Sequence, residues 1–214
     1  MRAIGRDLDA IMEEVRATFT AKNRAREAAL AACREALRHS ANAIRAVHRG
    51  DFPGGEELIV KAGELLKQAA AALVGHPDIY HAGFVHDSQK EFAEASLTLA
   101  LVAGRPLPTP ESLGVQQAAY LNGLGEAVGE LRRHLLDSLR SGDVEHCEEC
   151  LTAMDEIYSV LVTVDYPDAM TGGLRRTTDN VRGILERTRG DLTLAARQRD
   201  LERKLGEFEG RLSS

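Results

Sequence analysis

A helical repeat of apolar residues near the N-terminus limits most strongly what this chain can fold into. Between Gly5 and Gly50 no Gly or Pro interrupts the sequence, and apolar residues recur three or four positions apart. That spacing places them on one face of an α-helix. The repeat consists of Ile4, Leu8, Ile11, Met12, Val15, Phe19, Ala25, Ala29, Ala32, Ala36, Leu37, Ile44 and Val47. The pattern predicts a single long N-terminal helix.

Turn signals divide the rest of the chain into further helices. Clusters of Gly, Pro and Asp mark the boundaries, and the richest is GRPLPTP at 104–110. The predicted helices span about 56–74, 78–103, 111–140, 144–164 and 174–212, the last as one helix or as two divided near Gly190. A chain of 214 residues with 4% aromatic residues and no Trp favours helix over sheet. We therefore expect an all-α, single-domain bundle of six to seven antiparallel helices over residues 1–214.

Composition limits the expected cellular location and the expected classes of binding partner. Three cysteines and no apolar N-terminal segment favour a reducing, cytoplasmic location over a disulfide scaffold. No apolar run reaches the roughly 18 residues that a membrane span needs, so no membrane partner is expected. The net charge of -6 gives no global support for a nucleic-acid partner.

Local charge tells more than net charge. Residues 22–49 carry seven Lys or Arg against two Glu, and residues 175–189 contain a second basic cluster. Such stripes suit phosphate backbones, although solvated helix faces that pair with a neighbouring subunit have the same composition. The first stripe includes Arg34, Arg38, Arg45 and Arg49.

Two pairs of glutamates at one-turn spacing stand out. Glu94 is the only charged residue between Phe92 and Ala103, so burial would leave it in need of a partner. Glu91 lies three positions before it on the same side of the helix. Glu126 and Glu130 form the second pair.

The second pair has a more ordinary interpretation when it is taken alone. Glu126 and Glu130 lie opposite a leucine-rich stripe on their helix, as residues of a solvent face do. They are candidates for a functional site only if other parts of the protein cover this helix on both sides. Three glycines flank them, each costing about 1 kcal/mol of helix stability relative to Ala, which indicates a close approach by another element. These are Gly123, Gly125 and Gly129.

Carboxylates clustered without His would suit Mg²⁺ or Mn²⁺ rather than Zn²⁺ or copper. Beside a phosphodiester, such ions activate water and stabilise the leaving oxygen. Nearby arginines would hold the phosphates. The candidates are Arg132, Arg133, Arg34 and Arg38. Surface or ion-paired glutamates remain the alternative at this point.

Four segments together resemble the translin family, and the Trax branch more than translin itself. They are RHSANAIRAVHRG, KEFAEASLTLA, YLNGLGEAVGELRRHLLDSLRSGD and DYPDAMTGGLRRTTDNVRGILE. The resemblance covers nearly the whole chain and keeps the order and spacing of the helices. In Trax the metal-binding acids are an E-x-x-E on the third helix and an acidic-x-x-x-Glu pair at the G-E-L segment. The matching residues here are Glu91, Glu94, Glu126 and Glu130, with Glu126 standing where the animal Trax pattern has Asp.

The resemblance implies both an activity and an assembly. Trax is the catalytic subunit of a barrel-like octamer with translin, which encloses single-stranded RNA and cleaves it using Mg²⁺. A chain that retains all four acids is similar to prokaryotic members that assemble with themselves. The resemblance thus implies a homo-octameric, Mg²⁺- or Mn²⁺-dependent endoribonuclease. RNA would be held by Arg34, Arg38, Arg45, Arg49 and Arg133.

Other function classes remain to be separated. A translin-like protein that binds single-stranded RNA or DNA without cleaving it shares the basic helices. A di-iron carboxylate bundle would need Glu-x-x-His on two helices, which neither glutamate pair offers. The Cys147-x-x-Cys150 pair after His146 lacks the second ligand pair that zinc needs, so structural cysteines are favoured there.

Overall fold

The computed structural model describes the backbone of residues 2–212 and confirms the all-α prediction, with no strand among those residues. Within residues 2–212, six helices are long and three have a single turn. They are α1 (Arg2–His48), α2 (Phe52–Ala72), α3 (Pro77–Tyr80), α4 (Phe84–Val102), α5 (Pro110–Leu113), α6 (Gln117–Ser141), α7 (Val144–Leu161), α8 (Asp168–Thr171) and α9 (Leu174–Leu212).

Two of the predicted helices are each divided near their start. The predicted helix 78–103 becomes α3 and α4, separated at Gly83, whose φ of +98° is unfavourable for other residues. The predicted helix 111–140 becomes α5 and α6, separated at Gly114 with a φ of +66°. Both divisions were missed because a single glycine in a helical pattern does not reveal its backbone conformation.

Capping residues fix other boundaries. The Asp51 side chain accepts a hydrogen bond from the Gly54 amide, so α2 begins at Phe52 rather than at the predicted position 56. Gly142 ends α6 in the left-handed conformation, and the Asp143 side chain caps α7 through the His146 amide, as the sequence predicted.

The last helix continues through Gly190, which settles the choice between one helix and two. Leu185 and Leu192 are both buried, so the same face packs on the bundle before and after the glycine. Arg132 on α6 also hydrogen-bonds Thr188 and Asp191, at 2.9 and 2.7 Å. This packing outweighs the cost of about 1 kcal/mol for one glycine in a helix.

Helices α4 and α6 form the centre of the bundle. Helix α4 packs against α1, α2 and α6, while α6 packs against α4, α7 and α9. Because neighbours surround α4, its residues from Phe92 to Ala100 are all buried. The glutamates of both pairs therefore project from the two most enclosed helices. None of the described helices combines the length and apolar character that a membrane span requires.

Candidate metal centre

Three of the four predicted metal-binding glutamates meet between α4 and α6. Glu91, Glu94 and Glu126 each place a carboxylate oxygen within 4.8 Å of the others. Glu94 is 8% exposed, and Glu126 is half-buried because α6 is covered by neighbours on both sides. The simple solvent-face interpretation of Glu126 is therefore wrong.

The cluster has too little positive charge around it for three ionised acids. Burial, then the charges of Glu91, Glu126 and Glu130, raise the pKa of Glu94 to about 8. Burial also raises the pKa of Glu91, helped by the Glu126 charge. Among the described residues, no side chain donates a hydrogen bond to the Glu94 carboxylate. The raised pKa means that a proton or a bound cation is favoured at Glu94 over a free negative charge near neutral pH.

Glu130 has a different environment. It lies one turn beyond Glu126, where Nε2 of His48 bonds its carboxylate, and Arg133 Nη1 lies 3.9 Å from it. The His48 hydrogen bond lowers the pKa of Glu130 despite its partial burial. The His48 side chain is 4% exposed, so the pair joins the end of α1 to α6 in the interior. Glu130 thus remains ionised beside the cluster rather than within it.

Lys90 and His48 were not identified from the sequence as parts of this site. Lys90 Nζ lies 2.6 Å from Glu126 and 3.8 Å from Glu91, so this α4 side chain connects α4 to α6. Its position one residue before Glu91 was the only available signal. His48 lies 82 positions before Glu130, and no local pattern links residues so far apart.

A cavity of about 410 Å³ contains the three carboxylates. Its other walls come from Gly125 on α6 and from Thr177, Asn180 and Ile184 on α9. A larger cleft of about 830 Å³ shares Glu126, Thr177 and Asn180 with that cavity. Lys90 and Arg176 line the cleft as cations. The acids therefore lie at the side of a larger cleft that is lined by two cationic side chains.

The predicted arginines lie elsewhere in the single chain. At about 100° per residue, the three on α1 fall within about 40° of one another, opposite the buried face of that helix, and Arg49 follows directly after the helix ends. All four are exposed, and Arg38 pairs with Glu35 while Arg45 bonds Asn42. They are Arg34, Arg38, Arg45 and Arg49. Among the predicted arginines of α6, Arg133 approaches Glu130, whereas Arg132 is tied to Asp191.

Two of the three glycines on α6 allow the close approach that the sequence indicated. A Cβ on Gly123 would lie 2.7 Å from the Lys90 carbonyl oxygen and 2.9 Å from the Glu94 amide nitrogen. Gly125 has similarly little space, against Thr177 of α9. At Gly129 the nearest atom is 4.0 Å away, so the prediction fails there. The missing side chain of Gly123 sets the α4–α6 distance at the acids.

Gly123→Ala is expected to lower the free energy of unfolding by about 1–3 kcal/mol, because backbone atoms of α4 must move away. Gly129→Ala is the matched control. It should raise stability by up to about 1 kcal/mol, since it adds helix propensity without a clash. Urea denaturation followed by circular dichroism measures both. Equal effects of the two substitutions would contradict the close approach.

The chain was compared with protein-family models and with the sequences and structures of known proteins. No protein-family model matches the chain. An uncharacterised protein of Methanocaldococcus jannaschii is 30% identical over 174 residues, which cover 80% of this chain and 76% of that protein.

Solved structures share the fold. An Archaeoglobus C3PO in complex with duplex RNA has a TM-score of 0.81 and 35% identity, covering 88% of this chain and 97% of that one. A crystal structure of AfC3PO gives 0.79 and 36%, covering 88% and 98%. The apo form of a Nematostella C3PO, at 19% identity, gives 0.77 with coverage of 86% and 96%, and shows the shared fold. By its identity to the Archaeoglobus proteins over nearly their whole length, this chain belongs to the translin/Trax family.

Proposed function

We propose that this protein is a metal-dependent endoribonuclease that cleaves single-stranded RNA. Glu91, Glu94 and Glu126 would hold Mg²⁺ or Mn²⁺, with Glu130 as the fourth acid of the site. The observation that carries the proposal is the convergence of three carboxylates from two helices around the buried Glu94.

The donor set fits a hard divalent cation. Every ligand atom offered by the cluster is a carboxylate oxygen, which Mg²⁺ and Mn²⁺ prefer. Such an ion lowers the pKa of bound water and polarises a phosphoryl oxygen. The protein's own contribution is to fix the three acids on packed helices, so that little reorganisation is needed. His48 holds the Glu130 carboxylate in place.

RNA would lie along the larger cleft beside the acids. Lys90 and Arg176 offer cationic donors there, and Thr177 and Asn180 offer neutral ones. This arrangement would bring a phosphodiester beside Glu126, which lines both the cleft and the metal cavity. The structure of an Archaeoglobus C3PO with duplex RNA supports RNA as the polymer.

The arginines on and directly after α1 would contact RNA once several copies of the chain have assembled. Apolar residues remain exposed on the N-terminal part of α1 and the C-terminal part of α9. We propose that copies of this chain associate through these helices, as a homo-octamer by resemblance to the family. RNA inside such a shell would contact Arg34, Arg38, Arg45, Arg49 and Arg133. The exposed apolar residues include Leu8, Ile11, Phe19, Leu205 and Phe208.

Purified protein should cut a labelled linear RNA internally when Mg²⁺ or Mn²⁺ is present, and cleavage should stop with EDTA. The same sequence annealed as a duplex tests the preference for single strands, and a circular single-stranded RNA tests for internal cleavage. Gel-resolved products measure each case. RNA binding without metal-dependent products would instead identify a translin-like binding protein. Equal cleavage of duplex and single strand would overturn the strand preference alone.

A further inference from the structure

A second group of metal-binding side chains lies between α6 and α7, outside the carboxylate cluster. His134 projects from α6, and His146 and Cys150 project from one side of α7. One ligand atom of each lies within 4.8 Å of the other two. This group contains nitrogen and sulfur donors, whereas the first contains only oxygen, so the two suit different metals.

Two of the three separations within this group are close to those of a tetrahedral site. The Nε2 atoms of His134 and His146 are 2.9 Å apart, and Cys150 Sγ lies 3.8 Å from Nε2 of His146. Bonds of about 2.0 Å to nitrogen and 2.3 Å to sulfur would give separations of about 3.3 and 3.5 Å at tetrahedral angles. Changes of about 0.4 and 0.3 Å would bring these two separations to the tetrahedral values. The ligand atoms of His134 and Cys150 lie within 4.8 Å of each other.

A carboxylate sets the tautomer of His146. Its Nδ1 lies 3.2 Å from Glu149 Oε2, and an ionised carboxylate can only accept a hydrogen bond. The proton of a neutral His146 therefore lies on Nδ1, which leaves the lone pair of Nε2 directed toward His134 and Cys150. A carboxylate that orients a histidine in this way is a common support for a metal ligand.

The two cysteines of the C-x-x-C sequence have separate roles. The Cys147 thiol is fully buried and donates toward the carbonyl oxygens of Leu135 and Asp143, at 3.4 and 3.0 Å. Cys150 follows His146 by one helical turn and joins it instead. The second ligand pair that the sequence lacked is thus replaced by a histidine from the neighbouring helix.

We propose that His134, His146 and Cys150 form a binding site for one Zn²⁺ ion that fastens α6 to α7, with a fourth position open to water. On binding, the S–H bond of Cys150 breaks, a sulfur–zinc bond forms and the proton leaves to solvent. Both histidines bind as neutral ligands, and the Nε2 proton that His134 donates to His146 is lost to solvent while solvent protonates Nδ1 of His134. Burial raises the pKa of the Cys150 thiol to about 11, so the ion must displace that proton.

The site is tested with Co²⁺ as a spectroscopic probe and Zn²⁺ as competitor, in excess Mg²⁺ to occupy oxygen-donor sites. Wild-type protein should bind one equivalent of Co²⁺ per chain, with a thiolate-to-cobalt charge-transfer band that Zn²⁺ abolishes. The band should disappear in Cys150→Ser and in His146→Asn, and should persist in Cys147→Ser. Glu149→Gln should weaken binding about tenfold to a hundredfold.

Circular dichroism establishes that each variant is folded, and His146→Asn serves as the second test because its side chain is 35% exposed and lies at the surface. Absence of the band in wild-type protein would overturn the proposal. Its survival in Cys150→Ser or in His146→Asn would do the same, as would its loss in a folded Cys147→Ser. None of these measurements involves RNA, so their outcome is separate from that of the proposed nuclease.

Discussion

Glu94→Gln is expected to reduce metal-dependent RNA cleavage by at least about a thousandfold, equivalent to about 4 kcal/mol of transition-state stabilisation. The substitution keeps the size and shape of the side chain and removes its charge. Glu94 is the most buried acid of the cluster and lies where α4 meets α6, so the substitution removes one of the three negative charges that converge on the proposed site. Cleavage rates under saturating RNA and metal measure the effect.

The control for this experiment is Glu64→Gln. Glu64 is an exposed residue of α2 that lines neither the acidic cavity nor the adjoining cleft, so cleavage should stay within about twofold of wild type. Glu91→Gln and Glu126→Gln should each also cause a large loss. Cleavage by Glu94→Gln at the rate of the control would remove the cluster from the mechanism.

Loss of activity in Glu94→Gln should coincide with a gain of stability in metal-free protein at alkaline pH. The unfolded carboxyl has a pKa near 4.5, whereas the folded one titrates near 8. Between these values the folded state binds a proton that the unfolded state has released, so the free energy of unfolding falls as pH rises. The decrease attributable to Glu94 is a few kcal/mol, complete above about pH 8.

Urea denaturation in EDTA from pH 5 to pH 9 measures this dependence. The wild-type protein should lose stability across the range, and Glu94→Gln should lose less. Mn²⁺ should restore stability more strongly at pH 8 than at pH 5, because the ion replaces the proton on the same carboxylate. Identical pH profiles for wild type and variant would contradict the burial argument.

Glu130 should affect the pH dependence of stability in the opposite direction, by lowering the free energy of unfolding as the pH becomes acidic. Its pKa is lowered by the His48 hydrogen bond, so its stabilising contribution is present above the ordinary value of 4.5 and is lost as pH falls through the folded value. Because Glu94→Gln and the wild type both contain Glu130, subtracting one stability profile from the other removes the contribution of Glu130. Glu94 on α4 and Glu130 on α6 therefore act in different pH ranges.

The sequence determined the helices and much of the acidic site. Apolar periodicity and turn residues predicted the six long helices, because helix formation depends on neighbours three or four positions away. The burial of Glu94 followed from the absence of other charges around its helix, and the Gly142–Asp143 boundary followed from capping chemistry. The family resemblance implied that the four glutamates belong to one site.

Only the tertiary structure decided how these helices meet. Gly123 lets α6 approach α4 closely enough for Glu126 to reach Glu91 and Glu94, while Glu130 pairs with His48 from α1. The contacts of Lys90 with Glu126, and of His134 with His146, depend equally on the rotation of one helix against another. Local spacing fixes which residues share a face, but the packing of side chains between helices fixes which faces meet.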